Sequence, residues 1–166
     1  MQLNVKRVNP DAQIPKHAKS GDAGMDLCTM ESAILKPGET KMVGTGIAVE
    51  IPNGFVGLVF PRSGLGSKGV NLSNCVGVID SSYRGEIKAP LHNNHPSNVL
   101  RNVVPSKGKW EEARPFYNYD GEMVVRKGER VCQLVIIPYM TCECVEVDEL
   151  SDSERGEGGF GSTGRL

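Results

Sequence analysis

Apolar positions along this chain recur with a period of two or in short continuous runs, and no helical period extends over ten residues. Lys41 to Ile51 alternates, with Val43, Ile47, Val49 and Ile51 on one face. Phe55 to Phe60 is apolar on both faces, as expected of a strand buried on both sides, and Val131 to Ile137 reads the same way. Cys144 to Val147 is expected to continue the sheet after a bend near Pro138. Turn chemistry separates the runs at Lys36-Pro37-Gly38-Glu39, Pro52-Asn53-Gly54, Tyr119-Asp120-Gly121 and Lys127-Gly128. Short strands at this spacing predict an all-β sandwich or jelly roll, with one short helix near Ser63 to Ser67.

Two stretches depart from this texture. Residues 91–125 hold His92, His95, three prolines and four of the nine aromatic residues (Trp110, Phe116, Tyr117 and Tyr119). That is long for a connection in a compact domain, and such loops are usually functional or partly disordered. The final residues, Arg155 to Gly164, contain five glycines and one large hydrophobe, Phe160, so they have no means of folding alone. They do carry an arginine fork, a flat ring and a Ser-Thr pair, which suits a segment that closes over a ligand with a ring at one end and phosphates at the other. A disordered Gly-rich tail fits the composition equally well. The expected organisation is a β domain over 1–150 with an insert at about 91–125, then a flexible arm over 151–166.

Size and charge narrow the classes. The 166 residues suffice for one domain with a sizeable core. A hydrophobic content of 39% with 23% charged residues fits a soluble globular protein. The net charge of −1 gives no general attraction for nucleic acid, so any phosphate recognition must be local. No apolar run reaches transmembrane length and the N-terminus lacks a signal-peptide core, so no membrane association and a cytoplasmic location are expected. The five cysteines, odd in number and with apolar neighbours, are expected to be reduced and mostly buried. Cys142 and Cys144 lack zinc-ribbon spacing.

Several local patterns bear on chemistry, each with an ordinary reading beside the functional one. Asp80 ends an apolar strand and precedes Tyr83; it is either a turn cap or an acid that holds and deprotonates a water. Tyr83 is either a structural aromatic or a platform under a sugar ring. Arg62-Ser63-Gly64 follows a strand at the start of a short helix, an arrangement that suits an anion, although most Ser-Gly turns bind nothing. Asp26 is an acid just inside an early strand, which near a triphosphate would hold a water on magnesium. Gln133 is an amide in an apolar strand and needs partners, from backbone or from a pocket.

Taken in order, five segments resemble the homotrimeric dUTPases: Ala23-Gly24-Met25-Asp26-Leu27, Pro61-Arg62-Ser63-Gly64, Gly77-Val78-Ile79-Asp80 with Tyr83-Arg84-Gly85-Glu86-Ile87, Gly128 to Val135, and Arg155 to Gly164. The match covers most of the chain outside residues 91–125. The resemblance implies a jelly-roll trimer with active sites assembled from all three subunits, hydrolysing dUTP to dUMP and pyrophosphate with Mg2+. By resemblance Asp80 would activate the water that attacks the α-phosphorus, and Tyr83 would stack on deoxyribose and exclude ribonucleotides. Asn74, with backbone around Val78 and Lys88, would read uracil. Arg62, Ser63 and Gly64 would bind phosphates, and Gln133 would contact the α-phosphate region. Arg155 would grip the γ-phosphate, Phe160 would cover uracil, Gly161 and Ser162 would complete the lid, and Asp26 would reach the magnesium through water. Ser82 stands where the family often has an acid or glycine, and Cys132 replaces a common alanine. The insert is longer than typical members carry; some bacteriophage members have an extra element here, which points to a phage or prophage origin and a bacterial host cytoplasm. Residues 91–125 are either a plain surface hairpin or an aromatic-rich docking site for a partner protein. Two other functions fit less well. A dCTP deaminase on the same scaffold usually has Trp or Phe at Tyr83 and a catalytic Glu near Pro90, and the zinc-deaminase signature is absent. A nucleotide-sensing regulator would act on a partner through the insert.

Overall fold

The structure, a computed structural model, describes residues 1–95 and 121–159. Among these described residues eleven strands and one helix follow in order: β1 Asn4–Arg7, β2 Met25–Cys28, β3 Ala33–Leu35, β4 Thr40–Gly44, β5 Ile47–Glu50, β6 Phe55–Pro61, α1 Ser63–Gly66, β7 Val70–Leu72, β8 Gly77–Ile79, β9 Lys88–Asn93, β10 Met123–Val125 and β11 Arg130–Pro138. All strand pairs are antiparallel, in sheets ordered β2-β11-β6-β8, β4-β9-β7, β1-β5 and β10-β3. The all-β class and the short helix are as the pattern predicts.

Local chemistry accounts for the turns. At Lys36–Glu39 the Glu39 N–H donates to Lys36 O at 2.9 Å with Gly38 at φ +75°, and at 126–129 the Glu129 N–H donates to Arg126 O at 2.9 Å with Gly128 at φ +81°. Both glycines occupy backbone space that side chains disfavour. One core fills the space between the sheets, with Leu27, Leu35, Ile47, Ile51, Ile87, Leu91, Met123 and Leu134 fully buried. Each such side chain contributes roughly 1.5–3 kcal/mol of transfer free energy.

The run from Lys41 to Ile51 is two strands, interrupted at Thr45-Gly46, yet Val43, Ile47, Val49 and Ile51 are all buried as expected. Thr45 keeps the register: it is buried and its Oγ1 donates to Ile87 O at 2.7 Å. Glu86 Oε1 accepts from the Gly46 N–H at 2.7 Å, so both irregular residues are satisfied.

Three expectations need correction. Within the chain β6 buries only Gly57 and Val59; Val56, Leu58 and Phe60 on the opposite face are half-exposed, because no second layer among the described residues covers them, and Phe55 packs on the core but stays half-exposed at the start of the strand. Cys144 to Val147 forms no strand, and Val145 and Val147 are exposed: alternation without a neighbouring strand leaves every N–H and C=O unpaired. Of the five thiols only Cys28 and Cys132 are buried, whereas Cys75, Cys142 and Cys144 are exposed. The apolar neighbours of Cys144 are themselves in solvent, so they shield nothing.

Candidate active site

β2 and β6 flank β11, and their pairing lines up three residues from separate motifs. Asp26 on β2 is opposite Gln133 on β11, and Gln133 is opposite Phe60 on β6. These side chains share one face of the sheet, because register places directly opposed residues on the same side. Together with Gly24, Arg62, Ser63 and Val135 they line a cleft of about 350 Å³. Asp26 Oδ1 lies 2.8 Å from Arg62 Nε, and its Oδ2 accepts from Arg130 Nη1 at 3.2 Å. Gln133 Nε2 donates to Pro61 O at 3.1 Å, while its Oε1 packs against Gly24, where a Cβ would overlap it. The amide therefore satisfies its donor on backbone and still faces the cleft.

Arg62 sits at the N-cap of α1 in extended conformation (φ −91°, ψ 135°), and its O accepts from the Leu65 and Gly66 N–H groups at 3.1 and 2.9 Å. The cap makes no side-chain hydrogen bond, so the first turn's N–H groups, Ser63 and Gly64 included, keep donor capacity beside the Arg62 guanidinium. The Arg62 guanidinium and these N–H groups are donors suited to phosphate, beside the cleft's two carboxylates, Asp22 and Asp26.

A second group stands apart. Asn74, Val78, Asp80, Tyr83 and Lys88 belong to the β7–β8 turn, β8, the loop after it and the start of β9, and none of them lines the cleft. Asn74 is exposed, at a tight turn where the Val76 N–H donates to Asn74 O at 2.6 Å around Cys75 at φ +61°. Val78 is 63% exposed. Lys88 is exposed, with Nζ 3.9 Å from Glu86 Oε2. Asp80 is exposed, not desolvated as an acid closing a buried strand would be, because β8 is the edge strand of its sheet. Asp80 O accepts from the Tyr83 N–H at 3.1 Å, so its backbone makes the turn while the residue stays exposed. The phenol end of Tyr83 packs against Gly85, where any Cβ would overlap it, and its hydroxyl donates to Glu86 O at 3.0 Å. Arg84 ties the loop down, donating through Nη1 to Ser81 O and Tyr83 O at 2.5 and 3.0 Å and pairing with Glu50 at 3.4 Å.

Arg155 is far from either group in its contacts: its Nε donates to Gly158 O at 2.8 Å within the turn around Gly156. Phe160, Gly161 and Ser162, and most of the 91–125 insert, lie outside the described residues.

The two thiols behind the cleft are unsuited to nucleophilic work. Burial, with help from Cys28 and Asp26, pushes Cys132 up to about 12, and burial then Asp26 raise Cys28 as well. Both stay protonated at neutral pH.

Arg84 and Arg130 carried no assignment at the sequence level. Arg130 had one visible signal: Val131 and Cys132, two adjacent apolar residues between Arg130 and Gln133, break the alternation of β11.

A family model described as dUTPase matches residues 10–102 and 115–164. The chain belongs to the dUTPase family. The deoxyuridine 5'-triphosphate nucleotidohydrolase of Nautilia profundicola is 43% identical over 166 residues, covering 99% of this chain and 100% of that protein. The one from Thermobifida fusca is 41% identical, over 99% of this chain and 79% of its own length. Among solved structures, the Staphylococcus bacteriophage 80alpha dUTPase with dUpNHpp superposes with a TM-score of 0.82 at 34% identity, covering 99% of both chains. A variant dUTPase from phage phi11 of S. aureus, which holds a structural Mg(II) ion, gives a TM-score of 0.73 at 29% identity over 90% of this chain and 98% of its own.

Proposed function

We propose that this chain hydrolyses dUTP to dUMP and pyrophosphate through a water activated by Asp80. The observation that carries the reading is the pairing of a phosphate-suited cleft with an exposed acid, Asp80, three residues before Tyr83, in a chain of this family. Asp80 holds a water and takes its proton as the oxygen attacks the α-phosphorus. The bond from that phosphorus to the bridging oxygen breaks, and pyrophosphate leaves. Arg62 and the N–H groups of Ser63 and Gly64 bind the phosphates, and Gln133 contacts the α-phosphate region. Tyr83 packs under deoxyribose and leaves no room for a 2′-hydroxyl. Asn74, with backbone around Val78 and Lys88, reads uracil. Cytosine presents the reversed donor–acceptor pattern, and buried groups left unpaired cost several orders of magnitude in specificity.

The two groups of residues do not meet within one chain. This supports a homotrimer in which one subunit's cleft faces another's Asp80 loop. The half-exposed apolar face of β6, with Val78 and Ile137 beside it at 63% and 37% exposure, supplies surface for such contacts. Residues 151–166 then act as an arm over a neighbouring site, Arg155 on the γ-phosphate and Phe160 over uracil, with Gly161 and Ser162 completing the lid.

The residues fit magnesium as an outer partner. Among the described residues no three acids, histidines or cysteines gather as a metal cage. Magnesium does not require one, since it binds through one or two carboxylates plus substrate phosphates and keeps its waters. Asp26 is that carboxylate, its oxygens retaining lone pairs for a metal-bound water. When bound, the ion offsets the charge of the triphosphate.

A second, additional role rests on residues 91–125. Their aromatic content suits a partner protein, and the phage 80alpha dUTPases are described as controlling the transfer of virulence genes. Deleting 96–119 tests it: activity should persist while a partner interaction is lost, and unchanged partner binding would refute docking.

For catalysis, each deoxynucleoside triphosphate is supplied with magnesium, and pyrophosphate and ammonia are measured. Pyrophosphate from dUTP alone is expected; ammonia from dCTP would indicate a deaminase. Asp80→Asn should keep nucleotide binding and lose about 10²–10⁴ in turnover. Turnover within tenfold of wild type would remove Asp80 from its role.

A further inference from the structure

We infer that Arg130 is a positioning residue for the phosphate end of the site, acting on Arg62 through Asp26. The inference rests on the assignment of Arg62 to the phosphates.

The first observation is a β-bulge. Arg130 on β11 is opposite Cys28 on β2, and Cys132 is opposite Leu27, so β11 takes two steps where β2 takes one. Val131 is the extra residue. In a regular strand Arg130 would share a face with Cys132 and Leu134, both fully buried in the core. The bulge cancels that alternation: Val131 and Cys132 are both buried, whereas Arg130 is exposed and Gln133 half-buried on the cleft face. Bulges beside active sites commonly re-aim a side chain in this way. Here the re-aimed side chain is the arginine.

The second observation is what the guanidinium reaches. Arg130 Nη1 donates to Asp26 Oδ2 at 3.2 Å, while Asp26 Oδ1 holds Arg62 Nε at 2.8 Å. Arg130 O also lies 3.5 Å from Arg62 Nη1. One residue therefore touches Arg62 twice, through its carbonyl directly and through its fork by way of the shared carboxylate.

A carboxylate facing one arginine tends to pair with it fork to fork, engaging two N–H groups. Arg130 occupies the second oxygen of Asp26, so Arg62 meets the carboxylate through Nε. Its Nη2 has no protein partner among the described residues and is available to the cleft. The second cation also balances Asp26 when Arg62 turns to phosphate. Without it, Asp26 draws Arg62 into a two-point pair and competes with the nucleotide.

The test uses the full-length protein with magnesium at fixed concentration. Arg130→Met keeps the alkyl stem and removes the fork. It should weaken a non-hydrolysable imido analogue of dUTP about tenfold and raise KM, with kcat within about threefold. Deoxyuridine, which has no phosphates, should bind within about twofold of wild type. Arg130→Lys, still able to occupy Asp26 Oδ2, should recover most of the loss. In an Asp26→Asn background, Arg130→Met should add nothing. A tenfold loss persisting in that background would mean that Arg130 touches phosphate itself, and would overturn the inference. Equal weakening of deoxyuridine and the analogue would overturn it in favour of a general structural role. Arg62→Met separates the two levels. If Arg62→Met weakens the analogue and Arg130→Met does not, the inference alone falls; if Arg62→Met has no effect, the phosphate assignment falls and takes the inference with it.

Discussion

Gly24 and Gln133 are in such close contact that the first methyl group of any other residue at position 24 would overlap the Gln133 amide oxygen. The contact holds the amide where its Nε2 reaches Pro61 O at 3.1 Å and its face lines the cleft. Gly24→Ala is therefore expected to displace Gln133 and lower kcat/KM for dUTP by about a hundredfold, the usual scale for an ångström-sized misplacement. Steady-state kinetics check this. The double variant with Gln133→Ala should be no worse than Gln133→Ala alone, because the overlapping group is then absent.

Tyr83 depends on Gly85 in a similar way. With no Cβ at Gly85 in the way, the phenol end closes onto the loop and its hydroxyl donates to Glu86 O at 3.0 Å. Gly85→Ala should swing the ring away and reduce the preference for dUTP over UTP by about tenfold or more, read as the ratio of kcat/KM values. Tyr83→Phe keeps the ring and loses one exposed hydrogen bond, so that ratio should stay within about threefold.

Asn93 is a stability determinant away from the chemistry. It is fully buried, and its Nδ2 donates to Leu35 O at 3.0 Å and to Gly121 O at 2.9 Å, while its Oδ1 accepts from the His95 N–H at 3.1 Å. These bonds tie β9 to the chain on the far side of residues 96–120. Asn93→Ala strands three backbone groups and should cost about 3 kcal/mol, seen in chemical denaturation as a lowered midpoint with little change in KM.

Cys132 gives the protein an alkaline liability. Its thiol rises from 9.0 to about 12 in the folded state, chiefly through burial. The folded chain therefore keeps a proton that the unfolded chain gives up. The associated stability is fully present below pH 9 and is lost as pH climbs toward 12, on the order of 4 kcal/mol across that window. Cys132→Ala should flatten the fall in denaturation midpoint between pH 9 and 11, although it starts from a lower value because it leaves a small cavity.

Local regularities were readable directly from the residues. Alternation and turn chemistry act over a few neighbours, so the β class, the short helix at Ser63–Gly66 and the buried row of Val43, Ile47, Val49 and Ile51 could be stated in advance. So could Asp26, Arg62 and Gln133 as candidates, since polar groups in apolar strands need partners. Arrangement across the chain could not. Asp26 and Arg130 are 104 residues apart, and their contact exists only because β2 pairs with β11 around one extra residue. The exposure of Asp80 follows from β8 lying at a sheet edge, and the failure of Cys144 to Val147 to become a strand follows from the lack of a neighbour within the chain. A single residue's pattern states a preference for a face; which face it gets, and what stands opposite, are set by long-range pairing that no short window of sequence contains.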